Sequence, residues 1–321
     1  MSAILMATSH SPLMGLNDPD ASVVGDVASA HHDARAFIDA FRPELAIVFA
    51  PDHYNGFFYD VMPPFCIGMA ATSIGDYGLP AGPVRTERDA ARRILAGVHE
   101  QGVDVAVSED MKVDHGLVQP LMLMFDGLDR IPIVPIFVNC VAEPLVPAAR
   151  IAALGSAVGV AARQLGRRVV ILASGGLSHD PPVPTLVDAA PAMRDRLLAR
   201  TVATPADRAR REDGTLSAAK LFAEGVSPLR ELNPDWDRSL MNSLATGEVD
   251  AVAAMPNDWF VAEGGHSAHE VRTWIAAYAA MATYGPYEVT TSFYRPIPEW
   301  LAGFGVTTAR TVDSTPAGVA R

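Results

Sequence analysis

Hydrophobic and polar positions along the chain follow two different periods. Short apolar runs predict five buried strands, at residues 3–7, 45–50, 103–107, 131–138 and 169–173. Longer segments with apolar residues on one helical face predict helices at 87–101 and 147–165. Asp18 and Pro19 are typical of the start of a further helix. The apolar face of that helix is formed by Val23, Val24, Val27, Ala34, Phe37, Ile38 and Phe41.

The second half of the chain has a mostly helical pattern. It extends from about residue 184 to 244, and a last helix is predicted at 267–284. Strands that alternate with helices indicate an α/β sandwich around a mostly parallel or mixed sheet. The chain shows no internal repeat and no sharp break in composition. We therefore expect a single domain over residues 1–310, followed by a loose tail over 311–321.

Composition excludes several classes of partner. The chain has 321 residues and a net charge of −12, and it lacks a basic stripe, so we expect no nucleic-acid partner. The only cysteines are Cys66 and Cys140, which argues against a disulfide framework. We see no signal-peptide pattern at the N-terminus and no run long enough to cross a membrane. These features predict a cytoplasmic protein with no membrane partner.

Four of the nine histidines follow predicted strands. His10 and His53 follow the first two, His115 lies after the strand at 103–107, and His179 follows the strand at 169–173. Parallel strands in open α/β sheets bring such loops to one edge, where ligands bind. A single loop histidine is usually a surface or capping residue, whereas four in equivalent positions predict a shared site. We expect no chemical role for the other five, which are His31, His32, His99, His266 and His269.

Histidines near a carboxylate are typical of a site for Fe(II), zinc or manganese. Two histidines and one carboxylate on one face of the metal favour a non-haem Fe(II) oxygenase. Cysteine ligation is not expected, because Cys66 and Cys140 belong to different elements. Residue spacing alone does not separate iron from zinc. It also leaves four carboxylates eligible as the third ligand: Asp52, Asp114, Asp180 and Glu270.

Glu270 has a second interpretation. Residues 267–270 read Ser-Ala-His-Glu, the S-x-x-E form of a capping box, directly before an apolar helical stripe. In that case the Glu270 side chain would accept from the backbone N–H of Ser267. The statistics of helix starts, taken alone, favour this capping role.

Motifs around these residues resemble a known family. They are SHSPL around His10, PDHYNGFFYDVMPPFCIG around His53, VDHGLVQPL around His115, GGLSHDPPVP around His179 and SAHEVRTWIAA around Glu270. With YRPIPEWLAGFG near the C-terminus, they resemble the class III extradiol dioxygenases of the LigB-type superfamily. The resemblance covers nearly the whole chain apart from its tail. Residues 78–93 and 201–214 match less closely, which leaves substrate selection and subunit contacts there open.

This resemblance implies a three-layer α/β/α sandwich with a mixed sheet. It also implies extradiol cleavage of a 3-substituted catechol, with both atoms of O2 inserted, at Fe(II) held by His10, His53 and Glu270. His179 would be the first base and His115 a supporting proton donor. A homo-oligomer is a further implication.

Two further sets of residues are expected near this site. Asp114 either orients a histidine from behind the metal or caps local backbone. A carboxyethyl side chain on the catechol would need a cation, for which the candidates are Lys112, Arg194, Arg272 and Arg295.

Two other function classes compete with the oxygenase. One is a zinc hydrolase or amidase on the same scaffold, in which a histidine would act as base toward metal-bound water. The other is a non-catalytic metal-binding or ligand-binding protein. A serine nucleophile is less favoured, because Ser174 and Ser178 near His179 lack the G-x-S-x-G pattern.

Overall fold

The strands are grouped in two sheets. A computed structural model describes residues 2–187, 189–199 and 203–312. Its strands are β1 (Ala3–Thr8), β2 (Leu45–Ala50), β3 (Phe65–Gly68), β4 (Ala71–Ile74), β5 (Ala81–Val84), β6 (Ala106–Ser108), β7 (Met111–Val113), β8 (Ile133–Val138), β9 (Val169–Ser174), β10 (Tyr287–Ile297) and β11 (Ala302–Thr311). The central sheet has the order β10-β11-β1-β9-β2-β8-β3-β6, and β5-β4-β7 form a smaller sheet.

The helices lie mostly between and after these strands. They are α1 (Ala21–Phe41), α2 (Arg88–Glu100), α3 (His115–Phe125), α4 (Ala148–Arg163), α5 (Pro191–Ala199), α6 (Pro205–Ala223), α7 (Pro234–Ala245), α8 (Val249–Ala253), α9 (Asn257–Gly264) and α10 (Arg272–Ala282). Two 3₁₀ turns span His266–Val271 and Pro298–Trp300. Over the described ranges, no helix combines the length and the hydropathy needed to span a membrane.

The central sheet is mixed, as predicted. Strands β1, β9, β2 and β8 run parallel to one another at its centre. The neighbours β11 and β3 pair antiparallel with β1 and β8. All four central strands are buried at every position, since helices cover both faces of the sheet. This burial explains why they appear in the sequence as continuous apolar runs.

Alternate residues of the central strands enter two separate cores. Leu5 and Ile47 pack in one core with apolar residues of α4 and α10. Met6 and Val48 face the other way and pack with residues of α1 and α3. Because side chains alternate between the two faces of a strand, each face of the sheet packs against its own layer of helices. The predicted α/β sandwich is confirmed.

Helices α4 and α10 approach each other closely through glycine. A Cβ added at Gly155 would lie 2.1 Å from the carbonyl oxygen of Ala276, and one at Gly159 would lie 2.4 Å from that of Ala280. Only glycine allows this separation of the two backbones. The contact fixes the position of α10, whose first residue, Arg272, follows Glu270 by two positions.

Most predicted elements of the first half are confirmed with small shifts in their ends. These are the strands at 3–7, 45–50, 131–138 and 169–173 and the helices at 87–101 and 147–165. The strand predicted at 103–107 is wrong in position, since β6 covers Ala106–Ser108. The helix cap predicted at Asp18 is also wrong. Its carboxylate accepts from Gly15 N at 2.8 Å instead, and α1 begins at Ala21.

Some elements had no clear pattern in the sequence. Helix α3 is apolar on all sides and contains Pro120, so it lacks the 3.6-residue period of a surface helix. The long antiparallel pair β10 and β11 was missed as well. The prediction of a tail from residue 311 conflicts with β11, which includes Thr311. Residues 313–321 lie outside the described part of the chain.

Candidate metal centre and active site

Three of the four singled-out histidines lie at the carboxyl ends of adjacent parallel strands. His10 follows β1, His179 follows β9 and His53 follows β2, and β9 pairs with both other strands. His10 and His179 are buried. The structure thus brings these three side chains to one edge of the sheet, where open α/β sheets bind ligands.

His115 reaches the same place by a different route from the one predicted. It follows β7 of the small sheet and is the first residue of α3, so it does not lie in a loop after a strand of the central sheet. Its ring stacks on that of His53, with 4.4 Å between the centroids. The position of His115 therefore depends on the second sheet, which the sequence pattern did not predict.

Glu270 lies at the centre of the cluster. It belongs to the 3₁₀ turn before α10 and is 2% exposed. Its carboxylate oxygens accept from Gly176 N at 3.0 Å and lie 3.3, 3.1 and 3.2 Å from the Nε2 atoms of His10, His53 and His179. One carboxylate therefore contacts three imidazole rings.

The capping-box interpretation of Glu270 is wrong. The 3₁₀ turn that contains Glu270 has no side-chain cap hydrogen bond. The carboxylate points inward to the histidines because the segment forms a tight turn and the regular helix begins only at Arg272.

Each histidine around Glu270 is held from behind through its other ring nitrogen. The Nδ1 atoms of His10, His53 and His179 lie 3.0 Å from Ser174 Oγ, 3.1 Å from Asp114 Oδ2 and 2.9 Å from the Leu177 carbonyl oxygen, respectively. Such partners fix the orientation of the ring and leave Nε2 directed at the shared site. Ser174 thus serves as a hydrogen-bond partner of His10.

Asp114 combines the two roles considered for it. One oxygen accepts from Gly116 N at 3.0 Å and caps α3. The other accepts from the backbone N of His53 at 2.9 Å and lies beside its ring. Burial acts to raise the pKa of Asp114, but His53 and His115 outweigh it and hold the pKa well below its usual range. The group is therefore a carboxylate that orients His53.

Asp76 is a buried neighbour of His115 that the sequence did not indicate. Its Oδ2 lies 2.5 Å from Nδ1 of His115, and both side chains are buried. Asp76 lies in the turn after β4, far from any predicted element. Only the packing of the small sheet against α3 brings the two residues together.

The other two carboxylates considered as ligands are used elsewhere. Asp52 accepts from the backbone N atoms of Asn55, Gly56 and Phe57 and so closes the turn after β2. Burial and the neighbouring Asp114 raise the pKa of Asp52 to about 7. Asp180 accepts from the backbone N of His266 at 3.0 Å.

The residues around Glu270 fit a metal ion. Ligands at adjacent positions of an octahedral metal lie roughly 3 Å apart if each bond is about 2.1 Å, and the His10 and His53 contacts to Glu270 measure 3.3 and 3.1 Å. Burial lowers the pKa of His10 to about 3, so its imidazole is neutral. Burial acts to raise the pKa of Glu270, but the surrounding histidines, His179 above all, outweigh burial and hold that pKa well below its usual range, so the carboxyl is ionised.

A second set of donors overlaps the first. Ring nitrogens of His10, His53 and His115 also lie within 4.8 Å of one another. Glu270 differs from His115 in offering an anionic oxygen, which would offset the charge of a cation. His115 is already engaged through Nδ1 by Asp76.

A cavity of about 670 Å³ opens above this cluster. This volume is in the range of small-molecule sites. Its floor includes His10, His53, His115, His179 and Glu270, and its wall includes residues of α5 and α6. None of the five histidines set aside in the sequence lines this cavity.

None of the four cations considered for a substrate carboxylate lines the cavity, which corrects that expectation. Their side chains are used elsewhere: Lys112 by Asp110, Arg194 by the Leu186 carbonyl, Arg295 by Asp26, and the buried Arg272 by the Val146 carbonyl and Asn257. The cations that do line the wall are Arg196, Arg208 and Arg211. The four candidates lie near the site motifs in the sequence, but the sequence did not show that their side chains point away from the cavity.

Comparison with known families agrees with this geometry. The family described as the catalytic LigB subunit of aromatic ring-opening dioxygenase matches residues 4–305. The chain belongs to this family. It is therefore a ring-opening dioxygenase, which acts with O2 and a metal on a catecholic substrate.

Individual relatives of this ring-opening dioxygenase are similar over almost their full length. A Rhodococcus jostii protein is 52% identical over 98% of this chain and 100% of its own. One from Mycolicibacterium smegmatis is 50% identical over 96% and 99%. Both are named 2,3-dihydroxyphenylpropionate/2,3-dihydroxicinnamic acid 1,2-dioxygenase. Among solved structures, an uncharacterized Escherichia coli K12 protein aligns over 95% of this chain and 98% of its own, at 16% identity and a TM-score of 0.47.

Proposed function

We propose that this dioxygenase cleaves 3-(2,3-dihydroxyphenyl)propionate beside one hydroxyl group, at Fe(II) bound by His10, His53 and Glu270. The supporting observation is the convergence of two Nε2 atoms and one buried carboxylate on the floor of the cavity. Two histidines and one carboxylate leave the other metal positions open, as non-haem Fe(II) oxygenases require. The names of the relatives support this substrate.

The chain's own residues prepare the site for this chemistry. Fe(II), held by His10, His53 and Glu270, would bind the catechol oxygens and O2 and would make the catechol hydroxyls more acidic. Ser174 and Asp114 hold the rings of His10 and His53 so that both Nε2 atoms face the same point. The largely apolar lining of the cavity limits the access of water to the reacting groups.

His179 is suited to act as the base. A carbonyl oxygen only accepts hydrogen bonds, so Nδ1 of His179 carries the proton that it donates to Leu177 O. Burial acts to lower the pKa of His179, but Glu270, whose Oε1 lies 3.2 Å from Nε2, outweighs it and raises that pKa. With the Glu270 carboxylate bound to the metal, Nε2 of the neutral ring would hold a lone pair directed into the site. We assign this atom the removal of a proton from a catechol hydroxyl.

His115 is suited to act as the proton donor. The Asp76 carboxylate accepts from Nδ1 and fixes the ring, which borders the same cavity. The opposite nitrogen can then deliver a proton to an oxygen atom of the reacting substrate. Asp76 is a positioning residue in this scheme.

The metal requirement and the uptake of O2 distinguish the proposed function from a zinc hydrolase and from a non-catalytic binding protein. Metal-free protein is loaded anaerobically with Fe(II) or with zinc, and O2 uptake is measured with 3-(2,3-dihydroxyphenyl)propionate. We expect one O2 consumed per substrate with Fe(II) only, together with a yellow ring-opened product. Hydrolysis of amides or esters with zinc, and no O2 uptake with either metal, would contradict the proposal.

The two acid–base roles are tested by His115→Gln and His179→Gln. Each variant should keep its Fe(II) and lose turnover by roughly a hundredfold to ten-thousandfold. The exposed His32 on α1 offers a matched control, since His32→Gln should be as active as the parent. Near-normal turnover in both active-site variants would remove the assignment.

We also propose that the protein is a cytoplasmic homo-oligomer with a single domain. The family resemblance supports the oligomer, and the composition supports the location. Light scattering of purified protein measures the subunit number directly, and a monomeric mass would contradict the oligomer.

A further inference from the structure

We propose that Arg196 and Arg211 form a subsite that binds the carboxylate of the substrate's side chain. This inference rests on the proposed function and adds the residues that select an anionic 3-substituent. Both arginines line the cavity above the histidine cluster. They come from different helices, α5 and α6.

Unused hydrogen-bonding capacity is the first observation behind this subsite. The Nε atoms of Arg196 and Arg211 are both buried without a hydrogen-bond partner. A buried donor that stays unpaired costs free energy, so native proteins seldom leave two such donors in one wall. The protein itself therefore leaves both guanidinium groups incompletely hydrogen-bonded.

The charge of the wall is the second observation. Within the described ranges, no carboxylate is ion-paired with Arg196 or Arg211, whereas several arginines outside the cavity, such as Arg88, Arg168 and Arg310, have such a partner. Glu212 also borders the cavity, but its Oε1 already accepts from Tyr77 N at 2.9 Å. Burial, and then the like charge of Arg211, lower the pKa of Arg196 to about 10. Asp207 and Asp52 act in the opposite direction, and an anion bound between the two guanidinium groups would offset their repulsion further.

The position of the pair next to the metal ligands is the third observation. Arg196 Nη2 donates to the Tyr54 carbonyl at 3.2 Å, and Arg211 Nη2 donates to Asn55 Oδ1 at 3.4 Å. Tyr54 and Asn55 directly follow His53. A substrate whose ring lies at the metal therefore directs its side chain toward this wall.

A carboxylate fits these groups better than other ligands do. The guanidinium fork matches the two oxygens of a carboxylate and binds them through paired hydrogen bonds. The chain as a whole carries a charge of −12, which repels anions over long range. A local pair of cations is what an anionic substrate needs in order to bind in such a protein.

The competing explanation is that the two arginines only hold the His53 loop. In that case their removal would disturb the metal site and would slow every substrate equally. The experiment therefore compares an anionic with a neutral catechol, 3-(2,3-dihydroxyphenyl)propionate with 3-propylcatechol. Fe(II)-loaded parent, Arg196→Gln and Arg211→Gln are assayed for kcat/KM and for iron content.

We expect each variant to lose about 10- to 100-fold in kcat/KM for the anionic catechol, as removal of a charge-assisted hydrogen bond does. For 3-propylcatechol the change should stay below about threefold, and iron content should equal that of the parent. Arg211→Lys should recover part of the loss, because it keeps the charge without the fork. Equal losses for both catechols, or no loss for either, would overturn the subsite.

Matched controls come from the same two helices. Arg194 on α5 and Arg210 on α6 are exposed and do not line the cavity. Arg194→Gln and Arg210→Gln each remove one positive charge close in sequence to Arg196 and Arg211, respectively. These controls should leave the ratio of kcat/KM for the anionic catechol to kcat/KM for the neutral catechol unchanged. If this ratio fell as much as in Arg196→Gln and Arg211→Gln, the effect would be due to net charge.

A binding measurement keeps the subsite testable if no catechol is cleaved. Calorimetric titration of 3-phenylpropionate, which has the carboxylate but no hydroxyl groups, is carried out with the metal-loaded protein. Binding to the parent that weakens about 10-fold or more in Arg196→Gln and Arg211→Gln supports the subsite even if the proposed reaction fails. Absence of binding to the parent, or equal binding to all forms, would contradict it.

Discussion

The buried histidine of α1 makes the stability of this dioxygenase sensitive to acid. His31 is 6% exposed, its Nε2 lies 3.2 Å from Thr8 Oγ1, and its ring packs against Phe304. Burial lowers the pKa of His31 from 6.5 to about 4. The unfolded chain therefore binds a proton at this residue at a higher pH than the folded chain does. The contribution of neutral His31 to the unfolding free energy is therefore fully present above its unfolded pKa of 6.5. This contribution is lost as the pH falls toward the folded pKa of about 4.

The size of the effect follows from these two pKa values. For a single group that titrates at 6.5 when unfolded and at about 4 when folded, lowering the pH from 7 to 5 costs about 2 kcal/mol of unfolding free energy. His31→Gln keeps a polar side chain of similar length and does not titrate. This variant should therefore lose about 2 kcal/mol less than the parent over the same interval.

Urea denaturation at pH 7 and pH 5 measures this difference. Both proteins are kept metal-free, so that metal release at low pH affects neither. All other histidines are present in both proteins, and their contributions cancel in the comparison. If parent and variant lose the same stability between pH 7 and pH 5, burial does not keep His31 neutral, and the reasoning is refuted.

Three further predictions concern the site and the packing behind it. Glu270→Gln keeps the shape of the side chain but removes its charge; anaerobic reconstitution should show Fe(II) affinity reduced by more than about 100-fold with a nearly normal Tm, and parental iron content would contradict this. Asp76→Asn should keep iron, lower kcat by about 100-fold and shift its pH profile, since the ring of His115 loses its anionic acceptor; an unchanged profile would rule out this positioning role. Gly155→Ala should cost about 1–3 kcal/mol in thermal or urea unfolding because the new methyl group meets the α10 backbone. The control Gly25→Ala, on an exposed helix face with open space, should stabilise the protein by up to about 1 kcal/mol.

The pattern of hydrophobic positions predicted the central strands and the amphipathic helices. The central strands are buried on both faces, so continuous apolar runs identified β1, β2, β8 and β9. Amphipathic helices such as α2 were equally clear. Where burial removes periodicity, as in α3, or where strands are short and pair in a separate sheet, as in β4 and β7, no single-sequence signal remained.

The sequence by itself determined that His10, His53 and His179 share one edge of the sheet. A residue just after a parallel strand has its position set by that strand alone, so chain order is sufficient. Their type, together with the motifs around them, also indicated a metal-dependent ring-opening enzyme.

Only the tertiary structure decided which groups complete the site. Glu270 is 217 residues from His53, and its motif permitted both a helix cap and an inward carboxylate. Asp76, Arg196 and Arg211 enter the site through helix and sheet packing that spacing does not encode. Side-chain direction depends on how distant elements pack together. Residue spacing alone did not choose among four carboxylates or among many surface cations. The family resemblance indicated Glu270, and the folded chain places its carboxylate beside three histidines.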